Sequence, residues 1–106
     1  MNYYDRVFEV VEQIPFGKVT TYGAIADFLA LGSARMVGWA LNQSHLMGID
    51  IPAHRVVNRK GELSGRNHFP GDQTMAKRLR SEGIEVTDDS VVNFEGHLWI
   101  PAEHLL

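Results

Sequence analysis

The 106-residue chain contains no cysteine. That absence excludes disulfides, thiolate zinc sites, redox CxxC chemistry and every cysteine nucleophile. No apolar run approaches the ~20 residues that a membrane-spanning helix requires. The N-terminus also lacks the basic, apolar, small-residue order of a secretory signal. There is no internal repeat, low-complexity tract or linker. What remains is ordinary globular material, 44% hydrophobic and 22% charged, and at this length a single domain over residues 1–106 is expected. A cytoplasmic protein is the expectation.

The net charge of −3 is small, but it is unevenly distributed. Residues 1–32 sum to −2, residues 33–80 to +5, and residues 81–106 to −6. The basic middle comprises Arg35, Arg55, Arg59, Lys60, Arg66, Lys77, Arg78 and Arg80. A basic segment between acidic ends suits one surface facing a polyanion and a repelling back. A solvated helix face would give the same charge pattern.

Apolar spacing at Val7, Val10, Val11 and Ile14 predicts an amphipathic helix from Tyr3 to Ile14, stopped by Pro15 and Phe16-Gly17. Thr20 and Thr21 can cap a second helix, Tyr22 to Ala30, and Ser33 a third, to about Asn42. Two short helices around the Leu31-Gly32 break form a helix-turn-helix pattern. Ser44 to Asp50 reads as a loop, Val56-Val57 as a buried strand and Ser64 to Gly71 as a polar loop. A fourth helix is expected from Pro70, with Met75, Ala76 and Leu79 inward and Gly83 as its terminal cap. Ile84–Val86 and Val91–Phe94 could pair around Asp88-Asp89. Trp39 and Trp99 read as packing residues. The fold class is mainly α with a small β element around the helix-turn-helix pattern.

The densest chemical segment is Pro52-Ala53-His54-Arg55-Val56, with Val57 and Asn58 following. It resembles the Pro-Cys-His-Arg-Val active site of the O6-alkylguanine-DNA alkyltransferases, with Ala53 where the nucleophile belongs. Pro15-Phe16-Gly17-Lys18-Val19-Thr20-Thr21-Tyr22 resembles that family's turn into its helix-turn-helix. Ala34-Arg35-Met36-Val37-Gly38 resembles its recognition helix, and Glu82-Gly83 the end of its last active-site helix. The likeness runs from about Tyr3 to Gly83 and implies a winged-helix-like helix-turn-helix DNA-binding domain of the alkyltransferase C-terminal type. Cysteine, histidine and glutamate would form the nucleophilic relay of such an enzyme. Here only His54 and Glu82 persist, as a vestigial relay, and a methyl group cannot attack an alkyl carbon.

The pattern therefore resembles the alkyltransferase-like proteins, which lack the cysteine. The resemblance implies a non-enzymatic sensor that flips O6-alkylguanine out of duplex DNA and passes the lesion to nucleotide excision repair. It implies no cofactor and a monomer, and no membrane partner. With its first helix leading straight into the DNA-binding unit, the protein is expected to lack the alkyltransferases' extra N-terminal domain. DNA-binding roles fall to Tyr22, Ser33, Ala34, Arg35 and Gly38. Tyr22 would press on a phosphate, and Arg35 would fill the vacated stack. Ala53, Val56 and Arg66 would form the lesion pocket, Arg66 within a Ser64-Gly65-Arg66 loop. An extra residue between Arg35 and Ala53 leaves Asn42 and Ser44 competing for the hinge role.

Individually, Tyr22 could be a packing residue, Arg35 a surface arginine, His54 a hydrogen-bonded core histidine, and Arg66 a solvated one. Glu82 at a helix C-terminus opposes the dipole and points to a specific partner. The histidines at 45, 54, 68, 97 and 104 match no compact metal-ligand motif, so no metal is expected. Three alternatives remain open. One is a helix-turn-helix regulator, although Ala34, Met36, Gly38 and Ala40 are poor material for base-edge readout. The second is a Cys-to-Ala inactive form of a methylated-DNA–cysteine methyltransferase. The third is a histidine-based hydrolase on His54 and Glu82.

Overall fold

Val7, Val11 and Ile14 are fully buried, and they turn one face of α1 (Tyr4–Gln13) into the core. The computed structural model describes residues 2–106. After the Pro15–Lys18 turn, β1 (Thr20–Thr21) leads directly into α2 (Tyr22–Phe28). The Thr21 hydroxyl accepts the Ala24 amide at 3.0 Å, so the expected cap forms. Ala30 in the left-handed region (φ 56°) ends α2, and Arg6 donates to the Leu29 carbonyl at 2.9 Å.

The third helix departs from expectation at its C-terminal end. α3 spans Ala34–Met47, well past Asn42, and closes on left-handed Gly48. The extension follows from Ser44, which continues the buried stripe of Val37, Ala40 and Leu41 although it is polar. Its hydroxyl donates to the Leu41 carbonyl at 2.6 Å, which satisfies it without water. Ser33 occupies the N-cap position, but its side chain makes no capping bond.

A short 3₁₀ turn at Ala53–Arg55 precedes β2 (Val56–Val57), which pairs parallel with β1 and is fully buried. The loop after it is not wholly polar, because Phe69 is buried. α4 covers Thr74–Ser81, starting later than Pro70 because Gly71 and Gln73 both take left-handed backbone. Met75, Ala76 and Leu79 face inward as expected, and Gly83 follows the helix at φ 84°. β3 (Val86–Thr87) and β4 (Ser90–Val91) form the expected hairpin, shorter than anticipated. Asp88 and Asp89 both have positive φ at its tip. Two single-turn helices, α5 (Phe94–His97) and α6 (Pro101–His104), were not expected. Between them, Trp99 is buried and its amide donates to the Val19 carbonyl, tying the C-terminal segment to the start of β1. The molecule is thus mainly helical, with small strand pairs beside a helix-turn-helix of α2 and α3.

Candidate nucleic-acid interface

The helix-turn-helix presents one face with unusual economy of side chains. Ser33, Ala34 and Arg35 are exposed at the start of α3, and among the described residues no ion pair holds Arg35. A methyl group added at Gly38 would meet nothing within 4 Å. No internal neighbour therefore demands glycine there, although a glycine inside a helix costs about 0.5–1 kcal/mol relative to alanine. The open space lies toward whatever approaches the helix.

Tyr22, at the first position of α2, is half-buried behind this face. Burial pushes its phenol upward, with a hydrogen bond to Ser64 acting the other way. Tyr22 is thus a neutral donor at neutral pH. A Cβ on Gly65 would stand 2.8 Å from the Tyr22 hydroxyl, so glycine is what lets the loop approach the ring.

A cleft of about 470 Å³ opens between Tyr22, Arg35, Gly38, Trp39, Asn42 and His68, and no carboxylate lines it. Behind it lies a smaller chamber of about 110 Å³, sharing Tyr22, Gly38, Asn42 and His68 and reaching Ala53. Ala53 also borders a rear cavity of about 220 Å³ that includes Ser44, Ile51 and Arg78. His45 and Phe69 border both spaces, their rings edge-to-face at 4.6 Å. Arg78 lies over the outer face of this partition, 5.4 Å from the Phe69 ring. Burial, then His68 and Arg78, hold the His45 pKa below its ordinary value, so the partition is uncharged at neutral pH.

The structure brings together Tyr22, Ala34, Arg35 and Gly38 around the cleft, with Ala53 at the chamber behind it. Two expected pocket residues lie elsewhere. Val56 is fully buried in β2 as core. Arg66 turns away from the chamber into a separate cavity, where its Nε stands 3.3 Å from Asp89 and its Nη1 donates to the Leu63 carbonyl. The acidic hairpin tip attracts it there. Of the two hinge candidates, Asn42 lines the chamber, whereas the Ser44 hydroxyl is consumed within α3.

Trp99 packs as expected, stacked on His104 at 5.3 Å, but Trp39 does not: it is 54% exposed. Trp39, His45, His68 and Phe69 are among the members of this region to which the sequence assigns no pocket role. His68 had been weighed only as a metal ligand. Among the described residues no group of three or more His, Cys, Asp or Glu could hold a metal ion.

His54 and Glu82 do meet, at 2.6 Å between Nε2 and Oε2. Arg55, however, is the larger partner: its Nε and Nη2 grip the same carboxylate, and its Nη1 donates to the Ile14 carbonyl. The Gly17 amide adds a fourth donor at 2.9 Å. Burial alone would raise the Glu82 pKa, but Arg55, Gly17 and His54 outweigh it and bring it down to about 2. Burial lowers the His54 pKa despite Glu82, leaving a neutral imidazole. An ionised carboxylate on Nε2 puts the ring proton there, so buried Nδ1 carries the lone pair and has no partner among the described residues. The cluster joins three segments: the turn after α1, the Ala53–Arg55 turn and the end of α4.

Residues 2–84 match the family model described as the DNA-binding domain of 6-O-methylguanine DNA methyltransferase. The chain is 38% identical over 105 residues to alkyltransferase-like protein 1 of Schizosaccharomyces pombe, covering 94% of this chain and 96% of that protein. It is 37% identical to a DNA base-flipping protein of Vibrio parahaemolyticus, over 91% of this chain and 94% of the other. Among solved structures, the S. pombe protein in complex with damaged DNA containing O6-carboxymethylguanine superposes with a TM-score of 0.77. That match has 36% identity and covers 92% of this chain and 94% of the other.

Proposed function

Because the chain belongs to the family of the 6-O-methylguanine DNA methyltransferase DNA-binding domain, we propose that it is a non-enzymatic sensor of O6-alkylguanine in duplex DNA. The single observation that carries this reading is Ala53 at the back of a chamber entered between Tyr22, Gly38 and His68. In an alkyltransferase this is the position of the attacking sulfur. Here the methyl side chain of Ala53 cannot take the alkyl group from a base.

The chain's own residues divide the work. The exposed start of α3, with the Ser33 hydroxyl and its free amides, offers donors to phosphates. Ala34 and Gly38 let the helix backbone come close. Arg35 enters the stack in place of the extruded nucleotide, and Tyr22 donates from its neutral phenol to the backbone that has rotated. The inner chamber is smaller than the roughly 300 Å³ of ordinary ligand pockets, so a flipped base also occupies the outer cleft or displaces the loop at 64–69. An O6 substituent points past Ala53 toward the rear cavity, where a small side chain leaves room for groups larger than methyl. The bound, unrepaired lesion is then available to an excision pathway, for which nucleotide excision repair is the proposed recipient. The protein acts as a monomer in the cytoplasm.

A helix-turn-helix regulator would need long polar side chains along α3, and its exposed start supplies one arginine among small residues. The test is incubation of the protein with duplex carrying a labelled O6-methyl group and a fluorescent analogue beside the lesion. The analogue should brighten as the stack opens, while the protein's intact mass stays unchanged. A protein 14 Da heavier would overturn the reading, as would binding that leaves the analogue stacked.

A further inference from the structure

The indole of Trp39, more than half exposed, is the largest apolar group on the face that carries Arg35. Trp39 follows Arg35 by four residues on α3, so the two side chains sit one turn apart on the same helix face. Both line the 470 Å³ cleft, with His68 facing them from the loop. That cleft continues into the Ala53 chamber through Tyr22, Gly38, Asn42 and His68. Trp39 does not border the chamber itself. Its place is therefore in the outer cleft, beside the path of an extruded base and away from Ala53.

We infer that Trp39 is a stacking platform for the nucleotide that flanks the flipped one. Two observations, with one general property of an opened duplex, point to nucleic acid as the occupant. The cleft contains an arginine and a histidine and no carboxylate. The indole offers a flat apolar face on the polyanion-facing side of the helix, and every base has a complementary face. Opening a duplex step uncovers a face on each of the two neighbouring bases; Arg35 fills the gap between them, and an aromatic ring one helical turn away can cover the part of one face that the guanidinium leaves bare. The contact is blind to the alkyl group, since it is made outside the chamber. It strengthens capture of the opened duplex without choosing between adducts.

This inference rests on the lesion-sensor reading, and one set of titrations separates the two. Wild type, Trp39→Phe and Trp39→Ala are each titrated with O6-methylguanine duplex, O6-benzylguanine duplex and unmodified duplex, with thermal unfolding as the folding control. Trp39→Ala should lose roughly tenfold in affinity for both lesions, in equal proportion, and Trp39→Phe should retain most of it. The fluorescence of wild type provides a second readout. Trp99 is buried against His104 and should not respond, so quenching on binding reports Trp39. Unchanged affinity in Trp39→Ala would overturn the platform, even with quenching. So would a loss confined to one adduct, or sedimentation showing that Trp39 instead holds a second copy of the chain. If wild type itself fails to prefer the lesions, the sensor reading falls first.

Discussion

At the residue scale, Arg66 illustrates how a family role and a resting position can differ. Its pair with Asp89 is 3.3 Å long and about half exposed on both sides, the kind of contact worth roughly 0.2–1 kcal/mol. So little energy holds Arg66 that a lesion with better contacts could draw it across the loop. If that release is part of recognition, Asp89→Asn should raise lesion affinity by up to about fivefold, because the ligand no longer competes with the pair. Arg66→Ala should reduce the preference for O6-methylguanine over guanine. Titrating both variants on modified and plain duplex decides the matter: unchanged preference in both would leave Arg66 as a solvated loop residue. Trp39 shows the opposite failure of sequence reasoning. Tryptophan is usually buried on average, and nothing in the local spacing distinguished this one from Trp99. Only the three-dimensional face of α3 did.

At the scale of elements, α3 trades stability for access. Gly38 sits mid-helix with a favourable negative φ and empty space around its missing side chain. Gly38→Ala should therefore stabilise the free protein by about 0.5–1 kcal/mol while weakening DNA binding, since the proposed function brings the duplex against α3 at this point. Chemical denaturation and a duplex titration on the same sample check the two signs. A stabilised variant with undiminished binding would mean that α3 does not lie against DNA at this point. The helix-turn-helix itself was legible: Thr21 caps α2 as its side-chain chemistry requires, and the periodicities of α1 and α4 gave their buried faces. The length of α3 was not, because Ser44 is polar by composition and apolar in behaviour once its hydroxyl is bonded within the helix. Single-turn α5 and α6 are too short to show a period at all.

At the scale of the whole molecule, the Glu82 cluster ties the end of α4 to the Pro15–Lys18 turn and the Ala53–Arg55 turn. The sequence suggested a relay of His54 and Glu82 and assigned Arg55 to the polyanion-facing charge. In the structure Arg55 is internal, and the relay geometry survives as a clamp. Both His54 and Glu82 are held below their ordinary pKa values. The unfolded chain therefore binds more protons than the folded one, and stability falls as the pH drops. The loss begins below the ordinary 6.5 of histidine and continues through Glu82 from 4.5 toward about 2. The ionised carboxylate contributes on the order of 3 kcal/mol at neutral pH by this shift. Glu82→Gln should accordingly lower the urea midpoint at pH 7 and flatten its fall between pH 5 and pH 3. A variant as stable as wild type at pH 7 would remove the clamp from the explanation of the fold. Loss of the clamp should also loosen Ala53, which immediately precedes His54 at the back of the chamber.

Lesion recognition without chemistry is tested most directly by one paired titration of the wild-type protein. Two duplexes of identical sequence, one carrying O6-methylguanine and the other guanine, are titrated at one fixed salt concentration, and the modified DNA is recovered afterwards. The modified duplex should bind at least tenfold more tightly and return with its methyl group in place. Equal affinity for the two duplexes, or recovery of unmodified guanine, would contradict it.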